Sequence, residues 1–449
     1  MGSFRNRKWT KPSDRGVVEL GLGHALPKWV GSLAMNLRWV SALGIVILIA
    51  GAWAVSTHRN RFPWRTVLWG LGLQFMVGLL ILRTQPGQAV FHGFQAAVDR
   101  FIGFANEGNR LVFGALAQPE AMTRAFGPGN GMLLVITITG TIILISAVSS
   151  LLYHYGVLQR VVQTMAWAMQ RVMGTSGSET LAAAANIFMG QTEAPLVIRP
   201  YLERMTRSEI FCMMTSGFAT IAGGVLAVYT GVLKVPAGHL LTASVMSAPA
   251  ALMLAKIMNP ETEASETAAG ASRPLERTTL NGLDAVCVGT SDGLKLALNV
   301  AAILIAFTAL VALVNSLLAY AASHLGWTTT RPLQEVLGYL NAPFALLMGV
   351  PPHDALAIGQ ILGERIILNE FFGYLSLSAE QTRLDPRSYT LATYALCGFA
   401  NLGSVAIQIG GISALVPSRR PDLAQLGLRA MVAGLLACYL TACVAGIIT

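Results

Sequence analysis

The sequence predicts an all-α integral membrane protein with eight transmembrane helices and two re-entrant hairpins in inverted repeats. Three observations predict it. Only 12% of the 449 residues are charged and 54% are hydrophobic, against about 25% charged in soluble domains. The apolar stretches run to roughly 20 residues, the length that carries a helix across a hydrocarbon core. One pattern also occurs twice: Gly217-Phe218-Ala219-Thr220 lies 24 residues after Glu193, and Gly398-Phe399-Ala400-Asn401 lies 28 residues after Glu370. Gly-broken apolar segments in corresponding halves, each with a carboxylate, point to a transporter with a midplane site.

The elements follow in order. Residues 1–37 hold Arg5, Arg7, Lys8, Lys11 and Arg15 without an apolar core and small-residue cleavage site; they read as a disordered basic arm, not a signal peptide. Spanning helices are expected near 38–57, 64–83, 131–153, 207–233, 238–258, 294–320, 389–415 and 424–448. Segments 86–116 and 155–173 place apolar stripes beside Asp99, Arg100, Glu107 and Arg110, and Arg160 and Arg171, so they read as interfacial helices. Residues 259–281 form one long polar loop. Two segments are too polar or interrupted to cross simply: 178–203, and 342–378 with Gly349-Val350-Pro351-Pro352. Both read as re-entrant hairpins, whose irregular backbone is tolerated only where protein or a wet cavity covers it.

Charge then orients the chain. The formal net charge of +9 is scattered between apolar segments and gives no nucleic-acid signal. Arg59, Arg61 and Arg65, then Arg160, Arg171, Arg199, Arg204 and Arg207, then Arg419, Arg420 and Arg429 fall in three connections on one side of an eight-helix count. Basic connections stay in the cytoplasm, which puts the C-terminus outside. The first hairpin then enters from the cytoplasm and the second from outside.

Carboxylates at membrane depth are costly and rare without a task, which singles out Glu193 and Glu370. Gln191, Thr192, Asn369, Asn401 and Ser404 flank them with donors and acceptors suited to a neutral heteroaromatic base and a sugar, or to helix–helix hydrogen bonds. Phe399 suits stacking on a base or plain packing. The glycines permit helix breaks whose carbonyls coordinate a small hard cation, or close helix packing. Asn186 and the Thr220 hydroxyl offer neutral oxygens suited to sodium. No Walker loop, dinucleotide fingerprint or nucleophilic triad is visible, and the five cysteines show no metal-ligand spacing.

Gly190-Gln191-Thr192-Glu193-Ala194-Pro195, Asn369-Glu370-Phe371 and Gly398-Phe399-Ala400-Asn401 together closely resemble the concentrative nucleoside transporter family, from about residue 38 onward. The resemblance implies a non-enzymatic, sodium-driven nucleoside symporter of a bacterial inner membrane, a homotrimer in the lipid bilayer with no organic cofactor. It implies nucleobase contacts from Gly190, Gln191, Thr192, Glu193 and Val225, and ribose contacts from Glu370, Asn401 and Ser404, with Phe399 near the base. It maps the sodium ligands onto Asn186, Met189, Thr220 and Ile221. It further implies a scaffold (38–153 and 282–331) and a mobile transport domain (154–258 and 332–449) that moves elevator-fashion. Phe372-Gly373 departs from the Val-Ala of some members, which leaves substrate preference open. Proton coupling of the same fold, a passive channel and a membrane enzyme are the rivals; the last would need a nucleophile or metal cluster.

Overall fold

The computed structural model describes residues 37–127, 133–270, 279–324, 326, 329 and 331–449. The expected arm, up to residue 36, and residues 271–278 of the polar loop lie outside the described residues. Every regular element among the described residues is helical. Among the described residues, seven stretches are long and apolar enough to cross a membrane.

Helix α1 (Leu37–Ala54) and α2 (Trp64–Arg83) each pack on the last helix of the chain, and α3 (Gln85–Phe113) follows α2 after one residue. Thr84 separates α2 from α3 by capping the new helix, its hydroxyl accepting from Gly87 N at 3.1 Å. The short α4 (Pro119–Phe126) precedes α5 (Leu134–His154) and the amphipathic α6 (Val157–Met173). The first hairpin descends through α7 (Gly177–Asn186), turns over 187–193 and returns through α8 (Ala194–Val197) and a 3₁₀ turn (Arg199–Arg204).

The expected helix 207–233 is two pieces, α9 (Arg207–Ala219) and α10 (Gly223–Leu233), broken at 220–222. α11 (Ala237–Met258) crosses intact. The helix expected at 294–320 is far longer: α12 runs Gly282–His324, 43 residues, because its polar first turns continue the same helix. The second hairpin also differs from expectation. Residues 332–347 form a separate helix, α13 (Pro332–Leu347), and Gly349-Val350-Pro351-Pro352 only turns it into α14 (Ala355–Ile367). The hairpin tip is Leu368-Asn369, and α15 (Glu370–Ala379) leads away from it. The segment expected as one helix over 389–415 is again two, α16 (Pro386–Leu396) and α17 (Leu402–Leu415), broken at 397–401. α18 (Arg420–Ile448) ends the chain.

Side-chain pairs fix the two ends. Arg207 at the start of α9 pairs with Asp422 at the start of α18 at 3.0 Å. Lys256 at the end of α11 donates to Ser208 Oγ at 2.9 Å. Arg65 donates to Arg171 O at 2.9 Å, Arg419 to Met205 O at 2.7 Å and Arg429 to Val55 O at 2.8 Å. The arginine-rich connections therefore gather at one end. At the other end the last carbonyls of α18 are capped by three arginines: Arg38 on Thr449 O (3.0 Å), Arg83 on Ile448 O (2.8 Å) and Arg387 on Gly446 O (2.7 Å). Arg387 belongs to the first turn of α16, so α9 and α16 enter from opposite ends and run antiparallel toward the middle. The two repeats are inverted.

The base of the first hairpin is anchored by buried ions. Glu179 accepts from Ser176 N (2.7 Å), and Lys256 Nζ reaches Glu179 at 2.7 Å and Glu261 at 3.4 Å. Glu209 accepts from Thr206 N (2.8 Å), Ser178 Oγ (3.0 Å) and Ser265 Oγ (2.5 Å). The described part of the polar loop is thus a strap: Thr267 O takes Gly177 N at 2.8 Å.

Helix pairs approach through glycine. A Cβ on Gly359 of α14 would meet Gly338 O and lie 2.7 Å from Ala342 N, both backbone atoms of α13. Gly359→Ala should therefore cost about 1–3 kcal/mol by overpacking. Thermal unfolding of the detergent-solubilised protein measures this, and an unchanged midpoint would contradict so close a crossing.

Candidate functional site

The breaks in α9–α10 and α16–α17 meet. Phe399 N donates to Thr220 O at 3.3 Å, and a Cβ on Gly398 would come within 2.6 Å of Phe218 O, so only glycine allows this approach. The middle of α18 lies against both breaks, with Cys438 Sγ bonded to Ala219 O at 3.6 Å and to Cys397 O at 3.5 Å. Ser247 Oγ of α11 touches Thr441 Oγ1 of α18 at 3.4 Å. The breaks therefore sit midway along the spanning helices.

Glu370 is the first residue of α15, capped by Asn369 Oδ1 accepting from Phe372 N at 3.2 Å. An anion at a helix N-terminus is favoured by the dipole. Its carboxylate is 5% exposed. Tyr229 OH donates to Oε1 at 2.8 Å, and Asn401 Nδ2 donates to Oε2 at 3.0 Å. Asn401 also caps α17, its Oδ1 accepting from Ser404 N at 2.8 Å. That cap fixes which way the amide points. Three helix N-termini (α10, α15 and α17) open near these breaks.

The tip of the first hairpin reaches the same helix α17 further along. Gln408 Nε2 donates to Gln191 Oε1 at 3.0 Å and to Met214 O at 3.2 Å. Thr192 lies over Gly411, where a Cβ would come 3.0 Å from its Cγ2. Asn401 and Gln408 are seven residues apart, about 10 Å along the axis. Gly190 N donates to Glu193 Oε2 at 3.3 Å, and Gly223 N donates to Phe188 O at 3.1 Å. Glu193 differs from Glu370 in being exposed. Val225, in the first turn of α10, and Phe399 are half-buried, and Ser404 is buried.

Asn186 ends α7. Its Nδ2 donates to Ala182 O (3.0 Å) and Ser216 Oγ (3.3 Å), while its Oδ1, buried, has no protein partner. Thr220 Oγ1 donates to Ser216 O at 2.9 Å, which leaves its lone pairs available. Met189, in the turn after α7, and Ile221, in the break, flank these two. Neutral oxygens with one buried orphan acceptor fit a small hard cation.

The structure brings Asn401 to Glu370, Gln191 to Gln408, and Asn186 and Thr220 both to Ser216, and it adds two residues the sequence reading does not single out, Tyr229 and Gln408. Both are uncharged residues inside apolar helices, where nothing in the local pattern marks them. Asp292 on α12 makes an exposed pair with Lys295 at 3.3 Å. Cavities of about 310 and 530 Å³ lie elsewhere, one beside Gln95, Asp99 and Thr230, the other beneath Glu179 and Lys256.

Comparison with known proteins agrees with this architecture. Family descriptions match three stretches: "Na+ dependent nucleoside transporter N-terminus" over 43–116, "Nucleoside recognition" over 135–235 and "Na+ dependent nucleoside transporter C-terminus" over 239–446. The chain is 40% identical to the uncharacterized transporter YutK of Bacillus subtilis, covering 92% of this chain and 99% of YutK. It is 40% identical to solute carrier family 28 member 3 of Mus musculus over 91% of this chain, and spans only 59% of that longer relative. It superposes on the structure of CNTnw in an inward-facing substrate-bound state with a TM-score of 0.86 at 36% identity, covering 92% of this chain and 98% of that one. With these matches, a shared fold and helices long enough to span a bilayer, the chain belongs to the concentrative nucleoside transporter family, whose members are transporters and not enzymes.

Proposed function

We propose that this protein takes up nucleosides across a bacterial inner membrane, driven by a sodium gradient. The observation that carries the reading is the crossing of two helix breaks beside a buried carboxylate with both oxygens already oriented. A carboxylate oxygen accepts more than one hydrogen bond, so Glu370 can take ribose hydroxyls while Tyr229 and Asn401 hold it still. Ser404 lies one turn into α17 on the same side of the site. Gly190, Gln191, Thr192, Glu193 and Val225 then serve the base, with Phe399 against its face. Sodium sits on Asn186 and Thr220 with the backbone carbonyls of Met189 and Ile221. The ion gains about 2.3 kcal/mol per 100 mV of membrane potential.

The inverted hairpins support an elevator motion of residues 154–258 and 332–449 against a frame that includes α5 and α12. In this reading α1 and α2 travel with the moving part rather than with the frame. Gly44 lies against Leu347 O and Gly70 against the Met253 side chain, and contacts this close do not slide freely. Exposed apolar residues of α12 (Leu298, Ile305, Leu313, Leu317) suit lipid and the other subunits of a trimer.

Labelled uridine uptake into proteoliposomes tests this: accumulation should require an inward sodium gradient, and uptake indifferent to sodium would falsify the coupling. Glu370→Gln replaces an acceptor by a donor facing Tyr229 OH or Asn401 Nδ2. It should lower uptake at least a hundredfold, as expected for about 3 kcal/mol lost at a buried charged hydrogen bond, with normal membrane insertion. Glu193→Gln should also lose concentrative uptake. Tyr229→Phe removes one donor and should cost about tenfold in half-saturating uridine concentration; unchanged affinity would place the sugar elsewhere. Asn186→Ala should raise the sodium concentration for half-maximal uptake far more than it changes the insertion level, which immunoblotting of membranes reports.

A further inference from the structure

Arg365, on α14, is fully buried at 0% exposure. It takes part in none of the ion pairs found among the described residues. Its Nη1 donates to Ala395 O at 2.5 Å, its Nη2 lies 3.1 Å from Cys438 Sγ, and its Nε has no protein partner. Ala395 belongs to the last turn of α16, and a cation at a helix C-terminus is favourable. That contact uses one nitrogen of three. An unpaired cation in a dry interior remains costly, and at membrane depth it is a functional residue by default.

Its position indicates what the charge acts on. Cys438 Sγ bridges from the guanidinium to Ala219 O at 3.6 Å. Ala219 is the last residue of α9 and precedes Thr220. Two hydrogen-bond lengths thus separate the guanidinium from the first break, about 7 Å in all. On its other side Arg365 precedes Glu370 by five residues, and the two charges act on each other. A fixed cation therefore lies two hydrogen bonds from the first break and five residues along the chain from the buried carboxylate.

We propose that Arg365 sets the sodium affinity of that break, repelling the ion enough for it to leave at the end of each cycle. The inference rests on the sodium reading given above. A coupling ion must bind well enough to enter and weakly enough to depart. The buried carboxylate of Glu370 and the carbonyl ends of α9 and α16 at the two breaks would otherwise hold a monovalent cation more tightly. Arg365 touches neither the ion nor the solute; it is a positioning charge acting through space.

The test uses the full-length protein in proteoliposomes, with labelled uridine uptake measured against sodium concentration. Arg365→Gln keeps a donor for Ala395 O and removes the charge. Its half-saturating sodium concentration should fall roughly tenfold, the size of one charge acting over about 10 Å at an effective dielectric near 20, and its maximal rate should fall with slower release. Arg365→Lys keeps the charge and should match the parent's sodium dependence. A purely structural role predicts the reverse: altered melting in both variants and an unmoved sodium dependence. Arg365→Gln that folds with the parental sodium dependence overturns the proposal, as does an equal shift in Arg365→Lys. Should Arg365→Gln aggregate, Cys438→Asp sets an acid against the retained guanidinium, and it should tighten sodium similarly; unchanged half-saturation there overturns the proposal too. Parental protein whose uptake ignores sodium removes the coupling reading itself, and this inference with it.

Discussion

Backbone polarity in a dry interior is the constraint on which the structure depends. A helix that stops halfway across leaves carbonyls and N–H groups without partners, and in lipid each costs several kcal/mol. This chain has two such breaks, and each helps satisfy the other. Phe399 N finds Thr220 O, Cys438 serves carbonyls on both sides, and Asn401 caps α17 while bonding Glu370. The junction is polar because the helices are broken, and the breaks are stable because they cross. Neither half would be tolerated alone at that depth.

The ends of the molecule follow a different logic. Lys256, Glu179, Glu209 and Glu261 lock the base of the first hairpin to α9 and α11 through charge-assisted hydrogen bonds. The tip of that hairpin is held by fewer and weaker contacts, among them one amide pair and one backbone bond to Gly223. A hairpin fixed at its base and lightly held at its tip can open at the tip without losing its anchor. At the opposite end, three arginines collect the carbonyls of α18 and so tie α1, α2 and α16 to one helix terminus.

Much of this was legible in the sequence because the physics left marks there. Gly398 is required by the close approach of two backbones, Gly217 by the Gln408 and Gln191 side chains packed over it, and carboxylates at 193 and 370 are conspicuous in apolar surroundings. The basic connections predict which helix ends gather together. Other features left no local mark. Tyr229 and Gln408 sit in helices whose hydropathy is set by their neighbours, so their roles emerge only when the second repeat folds onto them. The polar first turns of α12 fall outside the expected span 294–320 because hydropathy marks only the part of a helix that lies in the apolar layer. Likewise Glu261, Ser265 and Thr267 in the polar stretch 259–270 reach the buried ions at the hairpin base, which composition alone does not show. The placement of 332–347 outside the second hairpin was hidden by Gly349-Val350-Pro351-Pro352, a stronger turn signal than the Leu368-Asn369 tip itself.

The two repeats share a pattern but differ in physical state, and the difference has a consequence. Glu370 is buried, stands at a helix N-terminus and receives two side-chain donors; its desolvation is offset before any solute arrives. Glu193 is exposed and receives one backbone N–H at 3.3 Å. A solute meeting both adds more to Glu193 than to Glu370, because Glu193 has more unfilled acceptor capacity and loses water only on binding. On the proposed reading, the second hairpin presents a preorganised surface to the solute, and the first gains order on binding it. Differential contact of this kind is the physical requirement for a ligand to bias one arrangement over another. It places the responsive element at the hairpin whose base is locked and whose tip is lightly held.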